Sequence, residues 1–133
     1  MAAATMPAGP ASLGLSTIGQ IAITATDVDR ADRFYRDTLE IKFLFLVSNM
    51  AFFDCDGVRL MISASEKPNE NYNSVIYFKV PDIRQAFRTL TARGVVSERA
   101  PHLIAPMPDH DLWMAFFRDP DRNLLALMSE VPR

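Results

Sequence analysis

A register shift of 55 residues lays the second half of this 133-residue chain over the first. Self-similarity at that scale constrains the fold more than composition does, because both halves must form the same local unit. In the first half, Ile18 to Ala25 is a short run rich in Ile and Thr, which reads as a strand. Asp27 follows as a helix N-cap, and Val28, Ala31, Phe34, Tyr35 and Leu39 recur at helical spacing. Three strand-like runs come next: Lys42 to Ser48, Met50 to Asp54 and Val58 to Ser63. Asp56-Gly57 marks a tight hairpin between the last two. In the second half Val75 to Val80 matches Gln20 to Ala25, and Asp82 matches Asp27. Ile83, Ala86, Phe87 and Leu90 form the second apolar helix face, which stops at Gly94, a residue suited to a left-handed C′ position. Strands are predicted again near Ser97 to Ala105, Leu112 to Arg118 and Asn123 to Ser129. The turn Asp119-Pro120-Asp121-Arg122 corresponds to Asp54 through Gly57 only at a shift of 65, so the second half carries about ten extra residues, placed near Pro101 to Asp111.

Each half is therefore a βαβββ module, and the fold class is α+β. One helix covers only one face of a four-stranded sheet, so two such modules must meet to bury the rest. The expected product is a curved mixed sheet enclosing a cleft, with sheet edges that favour a second copy of the chain. The expected organisation is a flexible tail over residues 1–16 and one domain over 17–133. Within that domain, module 1 spans about 17–65, a polar linker 66–73, and module 2 about 74–130. Glu66 to Asn73, with one proline and three asparagines, supplies the linker.

Composition narrows the partners. Hydrophobic residues make up 49% and charged residues 23%, an ordinary globular balance. The formal net charge is -2 and there is no basic run, which argues against nucleic acid or an anionic membrane. No apolar stretch reaches membrane-spanning length, and the first sixteen residues lack the layout of a secretory signal. Cys55 is the single cysteine, so a reducing, cytoplasmic setting is expected.

Two motifs carry a family resemblance. Residues 21–39, from Ile21 through Asp27-Val28-Asp29-Arg30-Ala31 and Phe34-Tyr35 to Leu39, resemble the opening strand and helix of vicinal oxygen chelate proteins, the glyoxalase, bleomycin-resistance and dioxygenase superfamily. Phe116 to Leu125, with Asp119-Pro120-Asp121-Arg122-Asn123, resembles the closing hairpin of that superfamily, with Arg122 in place of its usual glycine. A left-handed Arg122 would cost about 1 kcal/mol, unless Asn123 takes that conformation instead.

The resemblance implies a divalent metal held by the first and last strands of each half. Carried over residue by residue, its four ligand positions fall on Gln20, Met61, Val75 and Ala126. Hard cations need several oxygen or nitrogen donors. Val75 and Ala126 offer none, Met61 offers a soft thioether, and Gln20 offers one neutral amide. The expectation is no metal at this site and no cofactor. These four side chains would instead line a pocket for a small molecule.

The extra segment brings the only histidines, His102 and His110. With Glu66, Glu98, Asp109 or Asp111 they would make a displaced metal site, or His110 would act as an acid or base oriented by a neighbouring carboxylate. The plainer reading is two loop histidines among solvated acids. Trp113 either stacks on a ligand in the cleft or packs in the core. Cys55 sits between Asp54 and Asp56, whose charge disfavours a thiolate.

Two functions follow. The first is metal-independent sequestration of a small molecule by a homodimer, using Gln20, Met61, Val75, His102, His110, Trp113 and Ala126. The second is a lyase, isomerase or dioxygenase acting through His110 or a displaced metal.

Overall fold

A computed structural model describes residues 13–65 and 73–133. Most of the expected tail and linker lies outside the described residues. Strands are β1 (Gln20–Ala25), β2 (Lys42–Val47), β3 (Met50–Cys55), β4 (Val58–Ala64), β5 (Ile76–Lys79), β6 (Val96–Pro106), β7 (His110–Arg118) and β8 (Leu124–Pro132). The helices are α1 (Val28–Arg33) and α2 (Ile83–Ala92). The strands form two four-stranded sheets of identical topology, β1-β4-β3-β2 and β5-β8-β7-β6. In each, the first strand pairs parallel with the last and the others pair antiparallel. This is the α+β arrangement of two βαβββ modules that the repeat dictates.

Local chemistry sets the boundaries. The Asp27 and Asp82 carboxylates each accept the backbone N–H three residues on, at 3.2 and 3.1 Å, which fixes both helix starts. Gly94, at φ 83°, ends α2. Asp56 and Gly57, at φ 51° and 94°, make the tight turn between β3 and β4. The first helix departs from the expected regular run to Leu39. After Arg33 it widens into a π-helical turn over Phe34–Thr38, closed by Leu39 N donating to Phe34 O at 2.9 Å.

The inserted residues also differ from expectation. They lengthen β6 to 11 residues and β7 to 9, against 6 in β2 and 6 in β3, so His102 and His110 sit in strands and not in a loop. Backbone pairing explains this, because a longer hairpin satisfies N–H and C=O groups that a loop would leave to water. Register shifts at three places in β6 absorb the prolines and the mismatch with β7.

One core runs under both helices. Ile23, Tyr35, Phe53 and Ile62 of module 1 join Ile83, Leu90, Phe117 and Leu125 of module 2 in a single buried cluster. The faces of the sheets away from the helices are only partly covered: Met61, Phe116 and Met128 there are half-buried, whereas Phe52 and Ala126 are buried.

The modules are tied by a buried polar joint. Tyr35 Oη donates to Asp119 Oδ2 at 2.7 Å, and Asn123 Nδ2 donates to the same oxygen at 2.8 Å. Asn123 N donates to Asp119 Oδ1 at 2.8 Å. Asn73 Nδ2 donates to Asn123 Oδ1 at 2.7 Å, and Asn73 Oδ1 accepts from Thr24 N at 3.2 Å. Asn73, expected to be linker, is thus an anchor between β1 and the closing turn. Arg122 takes the left-handed conformation itself, at φ 69°. Asn123 is committed to the joint through backbone and side chain, so it cannot take over that role.

Burial pushes the Tyr35 phenol far above its ordinary range, and the Asp119 charge adds to the rise. A group with a raised folded pKa adds stability that is whole below its unfolded value near 10 and is lost as pH rises beyond it. Tyr35→Phe should therefore cost about 1–3 kcal/mol at pH 8, the cost of a buried hydrogen bond to a charged partner. Urea titrations should show the gap from wild type narrowing by up to about 1.4 kcal/mol per pH unit above pH 10. A gap constant from pH 8 to 11 would show that the phenol does not hold the joint.

Candidate functional site

The open faces carry the residues the sequence singled out. Strand register separates them from the core without ambiguity. On β8, Leu125, Leu127 and Ser129 are buried on the helix side, so Leu124, Ala126 and Met128 face the other way. On β1, Ile23 and Ala25 are buried, so Gln20, Ala22 and Thr24 share the open face.

The four family ligand positions occupy matching places. Ala22 lies opposite Met61 and Tyr77 lies opposite Ala126, so Gln20 and Val75 each stand two residues before the partner of the last-strand position. Gln20 Nε2 points at Met61 Sδ from 3.8 Å, which confirms that this pair converges. The sheets approach along β1 and β5, where a cavity of about 430 Å³ is lined by Ile21, Leu60, Ile76 and Tyr77. Ile21 and Ile76 are equivalent in the repeat and pack toward the helix-side core, so Gln20 and Val75, one residue earlier in each strand, face away from this cavity. No hydrogen bond or ring contact among the described residues joins the Gln20–Met61 pair to Val75 and Ala126.

This site does not suit the superfamily's metal. An amide and a thioether face each other on one side, and a valine and an alanine with no donor atom stand on the other. Nor do the histidines gather a substitute. Among the described residues no three His, Cys, Asp or Glu side chains lie close enough to hold an ion. Glu66 lies outside the described residues.

The inserted hairpin contributes rings instead. His102 lies opposite Met114 in register, on the open face, with its ring 6.3 Å from that of Phe116. Its Nδ1 is 2.9 Å from Ala100 O, which fixes the ring and marks Nδ1 as the protonated nitrogen. Phe116 in turn meets the Tyr77 ring edge-on at 6.2 Å. His110 shares the same strand face further along β7, and its Nδ1 lies 2.7 Å from Asp109 Oδ1. That hydrogen bond, then one from the Asp109 backbone, and then the His110 charge hold the Asp109 carboxyl below its usual range.

Trp113 is corrected from the cleft to the helix side. It pairs with Leu103 and Ser129, packs against the core, and takes the Arg84 guanidinium of α2 over its ring at 5.0 Å. Alternation along β7 explains this, since Met114 and Phe116 hold the open face and Trp113, Ala115 and Phe117 the other. Sequence reasoning missed Tyr77 as an open-face ring, although its strand position opposite Ala126 was an available signal.

Two other features belong to packing. A cavity of about 440 Å³ lies between α2, sheet β5-β8-β7-β6 and the start of β2, away from the family positions. Its charged groups are already engaged: Arg93 with Glu40 at 2.7 Å, Lys79 with Glu130 at 3.1 Å, and Asp82 as the helix cap. Cys55 is half-buried, and desolvation followed by the Asp54 charge pushes its thiol up, away from nucleophilic use.

The two βαβββ modules and their sheet topology define a vicinal oxygen chelate protein. The chain belongs to the Glyoxalase/Bleomycin resistance protein/Dioxygenase superfamily, whose family model matches residues 17–127. It is 27% identical to the uncharacterised protein YraH of Bacillus subtilis, over 81% of this chain and 94% of that one. Lactoylglutathione lyase from Agrobacterium tumefaciens has the same fold, with a TM-score of 0.70 at 20% identity over 86% of this chain and 93% of that one. TioX from Micromonospora sp. ML1 does too, with a TM-score of 0.70 at 17% identity over 86% and 99% of the two chains. Among the described residues no helix is long and apolar enough to cross a membrane.

Proposed function

We propose that this chain is a metal-independent, small-molecule-binding member of its superfamily, working as a homodimer in the cytoplasm. One observation carries the reading. The four positions where the fold would seat metal ligands hold a glutamine amide turned to a thioether, a valine and an alanine. Such a surface favours an apolar ligand and offers a hard cation almost nothing. The free Cys55 suits a reducing compartment.

The homodimer reading rests on exposed apolar strand edges. β2 and β6 are each an edge strand of their sheet. They present Phe45, Leu46 and Val47, and Leu103 and Ile104, to solvent. Long apolar edges of this kind invite pairing, and a second copy supplies a matching surface.

A second reading is favoured by the His110–Asp109 contact. A carboxylate 2.7 Å from Nδ1 would orient the imidazole, as an acid–base catalyst requires. Activity on a small oxygenated metabolite would then be lost in His110→Ala.

Metal removal separates the two metal-based possibilities from the first reading. Protein purified without added ions should carry well under one equivalent of any divalent metal by elemental analysis. Prolonged EDTA treatment should move the melting temperature by less than about 2 °C, because no binding free energy is lost. A stoichiometric ion whose removal destabilises the protein would end the metal-independent reading. Light scattering should give twice the 14.9 kDa chain mass, and Leu46→Glu with Leu103→Glu should return it to one chain. A wild-type monomer at tens of micromolar would end the homodimer reading.

A further inference from the structure

The two open faces are built alike beyond the lost ligands. On each sheet a phenylalanine stands directly opposite the last-strand ligand position: Phe52 opposite Met61, and Phe116 opposite Ala126. Each phenylalanine is backed by a second ring from the outer strand. Phe45 lies 4.8 Å from Phe52 at 30° between planes, and His102 lies 6.3 Å from Phe116 at 36°. Each is also accompanied by an arginine. The Arg59 guanidinium sits 5.9 Å over the Phe52 ring, and Arg99 lies opposite Phe116 in the β6–β7 register.

These arginines differ from the other cations of the open faces. Arg118 is held by Glu98 at 3.3 Å and Lys79 by Glu130 at 3.1 Å. Among the described residues neither Arg59 nor Arg99 is paired with a carboxylate. Asp54, the register neighbour of Arg59, accepts the Gly57 N–H at 3.1 Å. Phe52 is itself 9% exposed beneath Phe45, so the accessible ring surface is that of the Phe45–Phe52 pair and of the His102–Phe116 pair, each with an arginine beside it. Rings of this kind bind planar π-systems by offset stacking, and guanidinium groups bind carboxylate or sulfonate through paired donors.

We infer that the ligand of this protein is a planar aromatic anion, stacked on the Phe45–Phe52 or the His102–Phe116 ring pair with its acidic group held by the arginine beside that pair, Arg59 or Arg99. The inference rests on the metal-independent binding reading and gives that site a ligand class.

Isothermal titration with four matched probes tests it: 2-naphthoate, 2-naphthylmethanol, 2-naphthylmethylammonium and decahydro-2-naphthoate. The expected order places 2-naphthoate at least about tenfold tighter than the alcohol and the saturated acid, with the ammonium weakest. Arg59→Gln with Arg99→Gln should bring 2-naphthoate to the affinity of the alcohol and leave the alcohol unchanged. Phe52→Leu with Phe116→Leu should weaken the naphthoate and the alcohol alike, by about tenfold. Arg88→Gln, on the exposed side of α2, serves as the charge control and should change nothing. Circular dichroism of each variant checks that the fold is kept.

Equal or tighter binding of the ammonium, equal binding of the saturated acid, a charge preference that survives the double arginine change, or no binding of any probe would overturn the inference. The metal-independent reading fails separately, and only if the native protein proves to need an ion.

Discussion

The Asp119 carboxylate is the interaction on which the architecture turns. It is 4% exposed, and its two oxygens collect the Tyr35 phenol, the Asn123 amide and two backbone N–H groups, those of Asp121 and Asn123. A buried carboxylate is costly unless its lone pairs are filled, and here they are. The donors come from both modules, so the satisfied charge also fixes how the halves sit. The closing turn is shaped by the same residue, because the Arg122 N–H donates to the Asp119 backbone carbonyl at 2.8 Å. Arg122 is held at positive φ by this ring of bonds, and the strain is offset by a filled buried site.

The joint also breaks the symmetry of the repeat. A shift of 55 carries Tyr35 onto Leu90 and Asn73 onto Ile18, and a shift of 65 carries Asn123 onto Val58. None of these can donate a side-chain hydrogen bond, so the second end of the seam cannot close in the same way. The two cavities lie towards that end, one lined by Leu90 and the other by Val58, and both by Phe78 and Lys79. A duplicated unit has thus kept its topology on both sides and specialised one end for rigidity. The ladder between β1 and β4 and that between β5 and β8 remain in step, which is why the ligand positions could be located at all.

Legibility followed the range of the interaction. The N-caps at Asp27 and Asp82, the Asp56-Gly57 turn and the stop at Gly94 depend on neighbours a few residues away, and all were readable in the sequence. The strands that carry Met61 and Ala126 were readable because the repeat predicts a last strand in each half. The side taken by Trp113 was not. In Leu112 to Phe117 both alternating sets are apolar, so the pattern gives no hint of which faces the helix. The extra residues were readable as a count, but the three register shifts in β6 depend on pairing with β7 and leave no local mark. Asn73 looked like linker because its partners, Thr24 and Asn123, lie 49 and 50 residues away.

On the metal-independent reading, the want of hard ligands and the presence of rings at these positions are two sides of one physical condition. A hard-ligand site must be polar, hydrated before binding and surrounded by groups that hold its carboxylates in place. Replacing an acid at the Ala126 position by a methyl group removes that need and leaves room on the open face. Ala126 is completely buried although it lies on that face, because the strands and rings around it, Tyr77 and Phe116 among them, close over it. Ring surface there gains from being dry, whereas an unpaired carboxylate in the same place would be destabilised. The arginines are tolerated beside the rings because they sit at the exposed margin, where water still covers the guanidinium and its stem lies along apolar surface. The open faces are thus internally consistent as stacking surfaces, and restoring one acidic ligand alone would leave a buried charge with no cation to balance it.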